Sequence, residues 1–168
     1  MLSLQRRRNE ALKPDIGPRA QRGAVLLEGL IAILIFSMGI LALVGLQAIS
    51  IKNTAEAKYR ADAAFLANQI LGQMWADNPA NLASYAHNAT TGGGTCAFSG
   101  GASANANVTA WLGASGTAGT VIDTLPGATS ALQQIAIGAG NLVTVSICWQ
   151  KPGEAAPHRH VVVAQING

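Results

Sequence analysis

The chain has 168 residues, about the length of one domain, and 49% of them are apolar. Its net charge of +3 comes from residues 1–23, which carry six basic and two acidic residues, whereas residues 24–168 carry five basic and six acidic residues. Because the basic residues are confined to this N-terminal segment, the composition argues against nucleic-acid binding by the folded part of the chain.

The first predicted element is a membrane-spanning helix at residues 24–46, a predominantly apolar stretch in which Glu28 is the single charged residue. A helix of this length extends about 34 Å, enough to cross a bilayer. The basic residues that precede it predict a cytoplasmic N-terminus and an exported C-terminal part. A secretory signal would place its apolar region before the cleavage site, and residues 1–23 contain no useful apolar stretch.

The sequence RGAVLLE at residues 22–28 resembles the prepilin cleavage motif of type IV pilins and the related pseudopilins. In that family a dedicated peptidase cuts after the glycine, the new N-terminus is methylated, and the fifth mature residue is a glutamate. The resemblance implies a leader peptide at residues 1–23, cleavage between Gly23 and Ala24, and N-methylation of Ala24. Ala24 departs from the phenylalanine that major pilins usually have at this position.

Glu28 needs an explanation because a carboxylate is costly in hydrocarbon. A free amine at Ala24 would lie four residues away on the same helix face and would attract Glu28 within one chain. The resemblance implies instead a pair with the N-terminal amine of a neighbouring subunit. We expect Glu28 to act in assembly and not in catalysis, with a plain membrane anchor carrying a stray glutamate as the alternative.

The second predicted element continues the first as an amphipathic helix at residues 47–77, which Asn78-Pro79 ends. Lys52 and Glu56 are spaced to form an i,i+4 ion pair. Residues at helical spacing predict the buried face, which comprises Ile49, Asn53, Ala57, Ala61, Ala64, Leu66 or Ala67, Ile70, Leu71 and Met74.

The end of this helix adds to the resemblance. Residues 66–85, with Asn-Pro-Ala after a long helix and a tyrosine soon after, are similar to the minor pilin family called type IV pilus modification protein PilV. Residues 39–47, GILALVGLQ, are similar to the same family. Two shorter segments are also similar to this family: DTLPGA at residues 123–128 and Cys-Trp-Gln at residues 148–150.

Residues 78–168 predict a small head that contains a β-sheet. Residues 88–120, rich in Gly, Ala, Ser, Thr and Asn, predict a long loop with Cys96 as its anchor and with Trp111 and Leu112 docked on the helix. Strand patterns predict C-terminal strands at residues 143–149 and 160–166 around a turn at residues 151–160, with a third at residues 133–137.

The fold class expected from these elements is α+β and pilin-like: one long N-terminal helix with a small antiparallel β-sheet head. Cys96 and Cys148 are the two cysteines, and export of the head predicts a disulfide between them, with two free buried thiols as the alternative.

His158 and His160 are the one hint of site chemistry. On a strand they would face the same side, but no third ligand stands nearby, so we expect exposed loop histidines and no metal. Motifs for a nucleophile, a phosphate loop or a zinc site are absent from the sequence. We therefore expect no catalytic residue, no cofactor and no enzymatic activity.

The function expected from the resemblance is that of a minor type IV pilin, a single-pass protein of the bacterial inner membrane that joins a pilus or primes its assembly. Its expected partners are other major and minor pilins, prepilin peptidase, the inner-membrane assembly machinery and membrane lipid, without nucleic acid. A minor pseudopilin of a type II secretion system is the alternative within the family. A membrane-anchored periplasmic binding protein or enzyme is the alternative from another class.

Overall fold

A computed structural model of the chain describes residues 22–166. The predicted leader lies outside the described residues except for its last two. The chain divides after Ser50 into two units, and the second begins at Ile51. One long N-terminal helix and a small antiparallel sheet make up the main elements, so the predicted α+β layout is confirmed.

The long helix, α1, spans Arg22–Ala76 and is 55 residues long. It ends one residue before the predicted boundary, because Asn78 takes an extended conformation ahead of Pro79. The side chain of Asn78 then accepts a hydrogen bond from the backbone N–H of Ala80 and caps a 3₁₀-helix at Pro79–Tyr85. The same short sequence therefore stops one helix and begins the next.

The main sheet has three antiparallel strands: β3 (Gln134–Ile137), β4 (Leu142–Trp149) and β5 (His158–Gln165), with β4 in the centre. All three predicted strands are therefore confirmed in outline. The strand β5 begins two residues earlier than predicted because His158 pairs with Trp149. The predicted turn at residues 151–160 is correspondingly a loop at residues 150–157.

The predicted long loop at residues 88–120 is a loop only in part, although the disulfide confirms Cys96 as its anchor. It contains a short strand pair, β1 (Thr90–Thr91) with β2 (Phe98–Ser99), and a helix, α2 (Ala106–Leu112). The Asn105 side chain caps α2 by accepting from the backbone N–H of Asn107. Small and polar residues dominate this composition, but a local cap and buried apolar side chains are enough to form a helical turn.

The core of the C-terminal unit lies between the inner face of the sheet, α2 and one face of α1. The apolar residues on alternate positions of β4 point into this core, as predicted from their spacing. The C-terminal half of the predicted buried face of α1 is confirmed, since Leu66, Ala67, Ile70, Leu71 and Met74 are buried. The N-terminal half is wrong, since Ile49, Asn53, Ala57 and Ala61 are exposed. Alanine on both faces of the helix left the direction of the core ambiguous.

One contact fixes α2 on α1, and another fixes the segment that precedes β3. The indole Nε1 of Trp111 donates a 2.8 Å hydrogen bond to the backbone carbonyl of Leu66, so the predicted docking of Trp111 on the helix is confirmed. After a short helix, α3 (Val121–Thr124), Gly127 adopts a positive φ of 65°, and a Cβ there would collide with the Gln150 carbonyl. Gly127 therefore allows the chain to pass close to the end of β4.

Candidate functional site

The first candidate site is the apolar part of α1 in the N-terminal unit. Every residue from Gly23 to Ser50 is exposed, and the most apolar 18-residue window has a mean hydropathy of 2.6 with none of it buried. The described residues contain one helix long and apolar enough to span a membrane by length and composition. Exposure of so large an apolar surface to water is unfavourable, and burial against lipid or protein would relieve it.

Glu28 lies within this surface, as the sequence predicted. It shares a shallow groove along the helix with the apolar side chains of Ala24, Leu27, Ile31, Ala32 and Ile35. None of the ion pairs among the described residues involves Glu28. The predicted cleavage position between Gly23 and Ala24 is exposed in the first turn of α1, and processing and methylation stay predictions.

The disulfide between Cys96 and Cys148 is present, and both residues are buried. It joins the segment between β1 and β2 to the buried end of β4, 52 positions along the chain. Next to it, the guanidinium of Arg159 lies 5.4 Å from the ring centroid of Phe98 and donates a hydrogen bond to Ser146. These contacts tie the β1–β2 segment to the sheet.

The Asp77–Tyr85 segment, which contributed to the resemblance, forms a hydrogen-bonded network at the end of α1. Asp77 accepts bonds from the Asn78 backbone, the Asn81 side chain and the Tyr85 hydroxyl, and Asn107 in α2 donates to that hydroxyl. The bond from Asn81, followed by those from Tyr85 and Asn78, lowers the pKa of Asp77. Burial is the main cause that raises the pKa of Tyr85. This segment therefore has a structural role.

A second candidate site joins α1 to the hairpin of β4 and β5. Glu56, Lys151, Glu154 and His158, which we call the Glu56 cluster, are each between 23% and 32% exposed. The Lys151 ammonium lies 3.1 Å from Glu56 Oε2 and 3.0 Å from Glu154 Oε1. His158 Nδ1 lies 3.2 Å from Glu56 Oε1, and its Nε2 lies 2.7 Å from Glu154 Oε2.

The ionisation of the cluster follows from these contacts. Burial opposes ionisation of Glu56, but the hydrogen bond from Lys151 and the charges of His158, Lys151 and Arg60 outweigh it, so its pKa is lowered. The bond from Lys151 is the main cause that lowers the pKa of Glu154. The pKa of Lys151 is raised by its bonds to Glu154 and then Glu56. Both glutamates and the lysine are therefore charged at neutral pH.

The predicted ion pair between Lys52 and Glu56 is replaced by other partners. Glu56 bonds Arg60 one turn later on α1, at 2.9 Å, and Lys151 from the hairpin loop. Lys151, 95 positions away, thus donates a hydrogen bond to one carboxylate oxygen of Glu56. Lys52 instead lines the neighbouring groove. Sequence reasoning missed Glu154 and Lys151, since no local spacing connects them with α1.

The histidines also differ from the prediction of exposed loop residues. His158 and His160 lie in β5 and are partly buried, and His158 stacks on the buried ring of Trp149 at a centroid distance of 5.5 Å. His87 is fully buried; its Nδ1 accepts from the Ser103 backbone N–H, and its Nε2 lies 3.0 Å from the Ser130 carbonyl. His87 therefore links two loops and does not join the Glu56 cluster.

The ligand atoms of Glu56, Glu154 and His158 lie within 4.8 Å of one another, the separation that suits a divalent metal. The ammonium of Lys151, however, already lies between the two carboxylates and bonds both, and the two nitrogens of His158 face different carboxylates instead of one common point. We therefore assign the cluster as a salt-bridge network and not as a set of metal ligands.

Comparisons with models of protein families, with curated proteins and with solved structures found no match to this chain.

Proposed function

We propose that this chain is a minor type IV pilin that is made as a precursor, cut between Gly23 and Ala24, and taken from the inner membrane into a pilus. In this proposal its N-terminus is cytoplasmic and its C-terminal unit is periplasmic, and it carries no catalytic activity. Other pilins, prepilin peptidase and the inner-membrane assembly machinery are its partners.

The observation that carries the proposal is a fully exposed apolar helix that has one carboxylate, Glu28, five residues after Gly23. Lipid can cover such a helix, and so can the apolar helices of other subunits, since both remove the same surface from water. A chain with this helix can therefore wait in a membrane and later exchange lipid for protein neighbours.

Glu28 has a specific part in that exchange. Cleavage creates an ammonium at Ala24, and an ammonium paired with a carboxylate offsets the desolvation that each charge suffers in an apolar setting. In the proposed pilus the partner of Glu28 is the amine of a neighbouring subunit, so entry into the fibre depends on processing. N-methylation of Ala24 would retain the positive charge.

Two further features support an exported C-terminal unit. The buried disulfide suits an oxidising compartment such as the periplasm. The six basic residues before the apolar helix favour retention of the N-terminus in the cytoplasm.

The test is intact-mass spectrometry of the membrane-extracted protein after co-expression with a prepilin peptidase. We expect the loss of residues 1–23, with or without one methyl group on Ala24. Gly23→Val should block cleavage, whereas the matched variant Gly29→Val, on the same helix, should leave it intact. An uncut chain in the presence of active peptidase would refute the proposal.

A second readout separates a pilus from a secretion pseudopilus, because processing is common to both. We expect the processed chain to copurify with fibres sheared from cells that make type IV pili. If the processed chain were found only in type II secretion fibres, it would be assigned as a pseudopilin and not as a pilin.

A further inference from the structure

The imidazole of His158 is held between two carboxylates that belong to different parts of the C-terminal unit. Nδ1 faces Glu56 of α1 at 3.2 Å, and Nε2 faces Glu154 of the hairpin loop at 2.7 Å. A neutral imidazole has one N–H, so one of its nitrogens would turn a lone pair toward a carboxylate oxygen. Only the protonated ring can present a donor to both.

The ring is also restrained from turning away. It stacks on Trp149, whose side chain is fully buried, with an angle of 17° between the two planes. The same loop is bent back by Gln150, which donates a 2.7 Å hydrogen bond to the Glu154 carbonyl. The two carboxylates therefore meet opposite edges of a ring whose plane is set by packing.

The groups that contact His158 carry a net negative charge. Glu56, Glu154 and Lys151 together carry a net charge of −1, which a protonated imidazole balances. Arg60 and Lys52 on α1 line the same groove with positive charge, but the Arg60 side chain is 59% exposed, so water screens much of its charge. His160 is the other titratable residue nearby on β5.

We propose that His158 links the loop at residues 150–157 to α1 through hydrogen bonds from both ring nitrogens when its ring is doubly protonated. This link weakens when the ring is neutral. Imidazole is the side chain of the Glu56 cluster whose ordinary titration falls between about pH 5 and 8. The hold on the loop is therefore stronger at a pH where the ring is protonated than at a pH where it is neutral, when the bond between Lys151 and Glu56 remains. This proposal is independent of the proposed function.

The test is hydrogen exchange of the full chain in detergent micelles with EDTA, read as the protection of the loop amides relative to their intrinsic exchange rates. We expect protection of residues 150–157 to be several-fold higher at about pH 5.5 than at about pH 8. His158→Gln, which carries no charge at either pH, should remove this dependence. The matched variant His160→Gln should keep it.

Equal protection at both pH values in the wild type would overturn the proposal. It would also fail if His158→Gln retained the pH dependence, or if His160→Gln abolished it. A dependence seen without EDTA and lost with it would assign the hold on the loop to a bound metal instead of a proton. Peptides from β3 provide the internal reference, since they lie outside the Glu56 cluster.

Discussion

The hydroxyl of Tyr85 donates a 2.8 Å hydrogen bond to Oδ2 of Asp77, eight residues earlier in the chain. The same hydroxyl accepts a 2.6 Å bond from Asn107, so a buried phenol connects the end of α1 with α2. The tyrosine that follows the Asn-Pro-Ala sequence therefore fixes the exit of the chain from the long helix.

Replacement of this tyrosine tests the network. We expect Tyr85→Phe to lower the free energy of unfolding by about 1 kcal/mol, because Asn107 and Asp77 lose a shared partner while the ring stays packed. Chemical unfolding of the full chain in micelles measures the change. Tyr59→Phe, whose hydroxyl takes no part in the network, is the control, and equal stability of the Tyr85 variant and this control would contradict the role assigned to the bond.

The Glu56 cluster predicts how stability depends on acid. The pKa values of Glu56 and Glu154 are lowered from the ordinary 4.5, so the two carboxylates contribute stability above that value and lose it as the pH falls through their lowered pKa values. We expect Glu154→Gln to be less stable than the wild type at neutral pH and to approach it at about pH 3. Unfolding curves at the two pH values measure this, and a constant difference would count against it.

The disulfide closes a long loop between Cys96 and Cys148. We expect its reduction to lower the free energy of unfolding by about 4 kcal/mol, since the unfolded chain regains the entropy of that loop. Unfolding curves with and without reductant provide the measurement. The Cys96→Ser/Cys148→Ser variant should show the same loss and no further response to reductant; a reduced wild type as stable as the oxidised one would disprove the contribution.

Two glycines should respond to alanine in opposite directions. Gly127→Ala should cost at least about 1 kcal/mol, because it introduces a positive-φ residue whose Cβ collides with the Gln150 carbonyl. Gly72→Ala should stabilise the chain by about 1 kcal/mol, since it lies in α1 with open space around it. Thermal unfolding of both variants checks the signs, and a stabilising Gly127→Ala would show that the close approach is dispensable.

Glu28 should matter for assembly alone. We expect Glu28→Ala to insert into the membrane and to be cleaved after Gly23 like the wild type, but to be depleted from sheared fibres because the N-terminal amine of the neighbouring subunit loses its partner. Quantitative blotting of membrane and fibre fractions measures the two steps separately. Ser37→Ala, another polar substitution in the same apolar helix, should enter fibres normally; wild-type incorporation of the Glu28 variant would remove Glu28 from the assembly mechanism.

The sequence was sufficient for the features that depend on local pattern. The length of α1, its end before Pro79, and the alternation along β4 all follow from periodicity and backbone preference. The disulfide followed from the expected compartment. These elements needed no knowledge of which distant segments meet.

The parts that could not be predicted are contacts between distant segments. The side chain of Gln133 bonds both the N–H and the carbonyl of Cys148, as a strand neighbour would, and glutamine carries no local sign of that role. The Glu56 cluster likewise needs Lys151, 95 positions away. Alanine at residues 57 and 61 fits a core or a surface equally well, so the orientation of α1 depended on larger side chains elsewhere.

The indole of Trp111 reaches the peptide carbonyl of Leu66 and not a side chain. Every amino acid supplies that oxygen, so the bond depends on the helical backbone at this turn and not on the side chain of residue 66. A substitution at Leu66 would therefore disturb core packing but leave the acceptor in place, whereas replacement of Trp111 removes the donor.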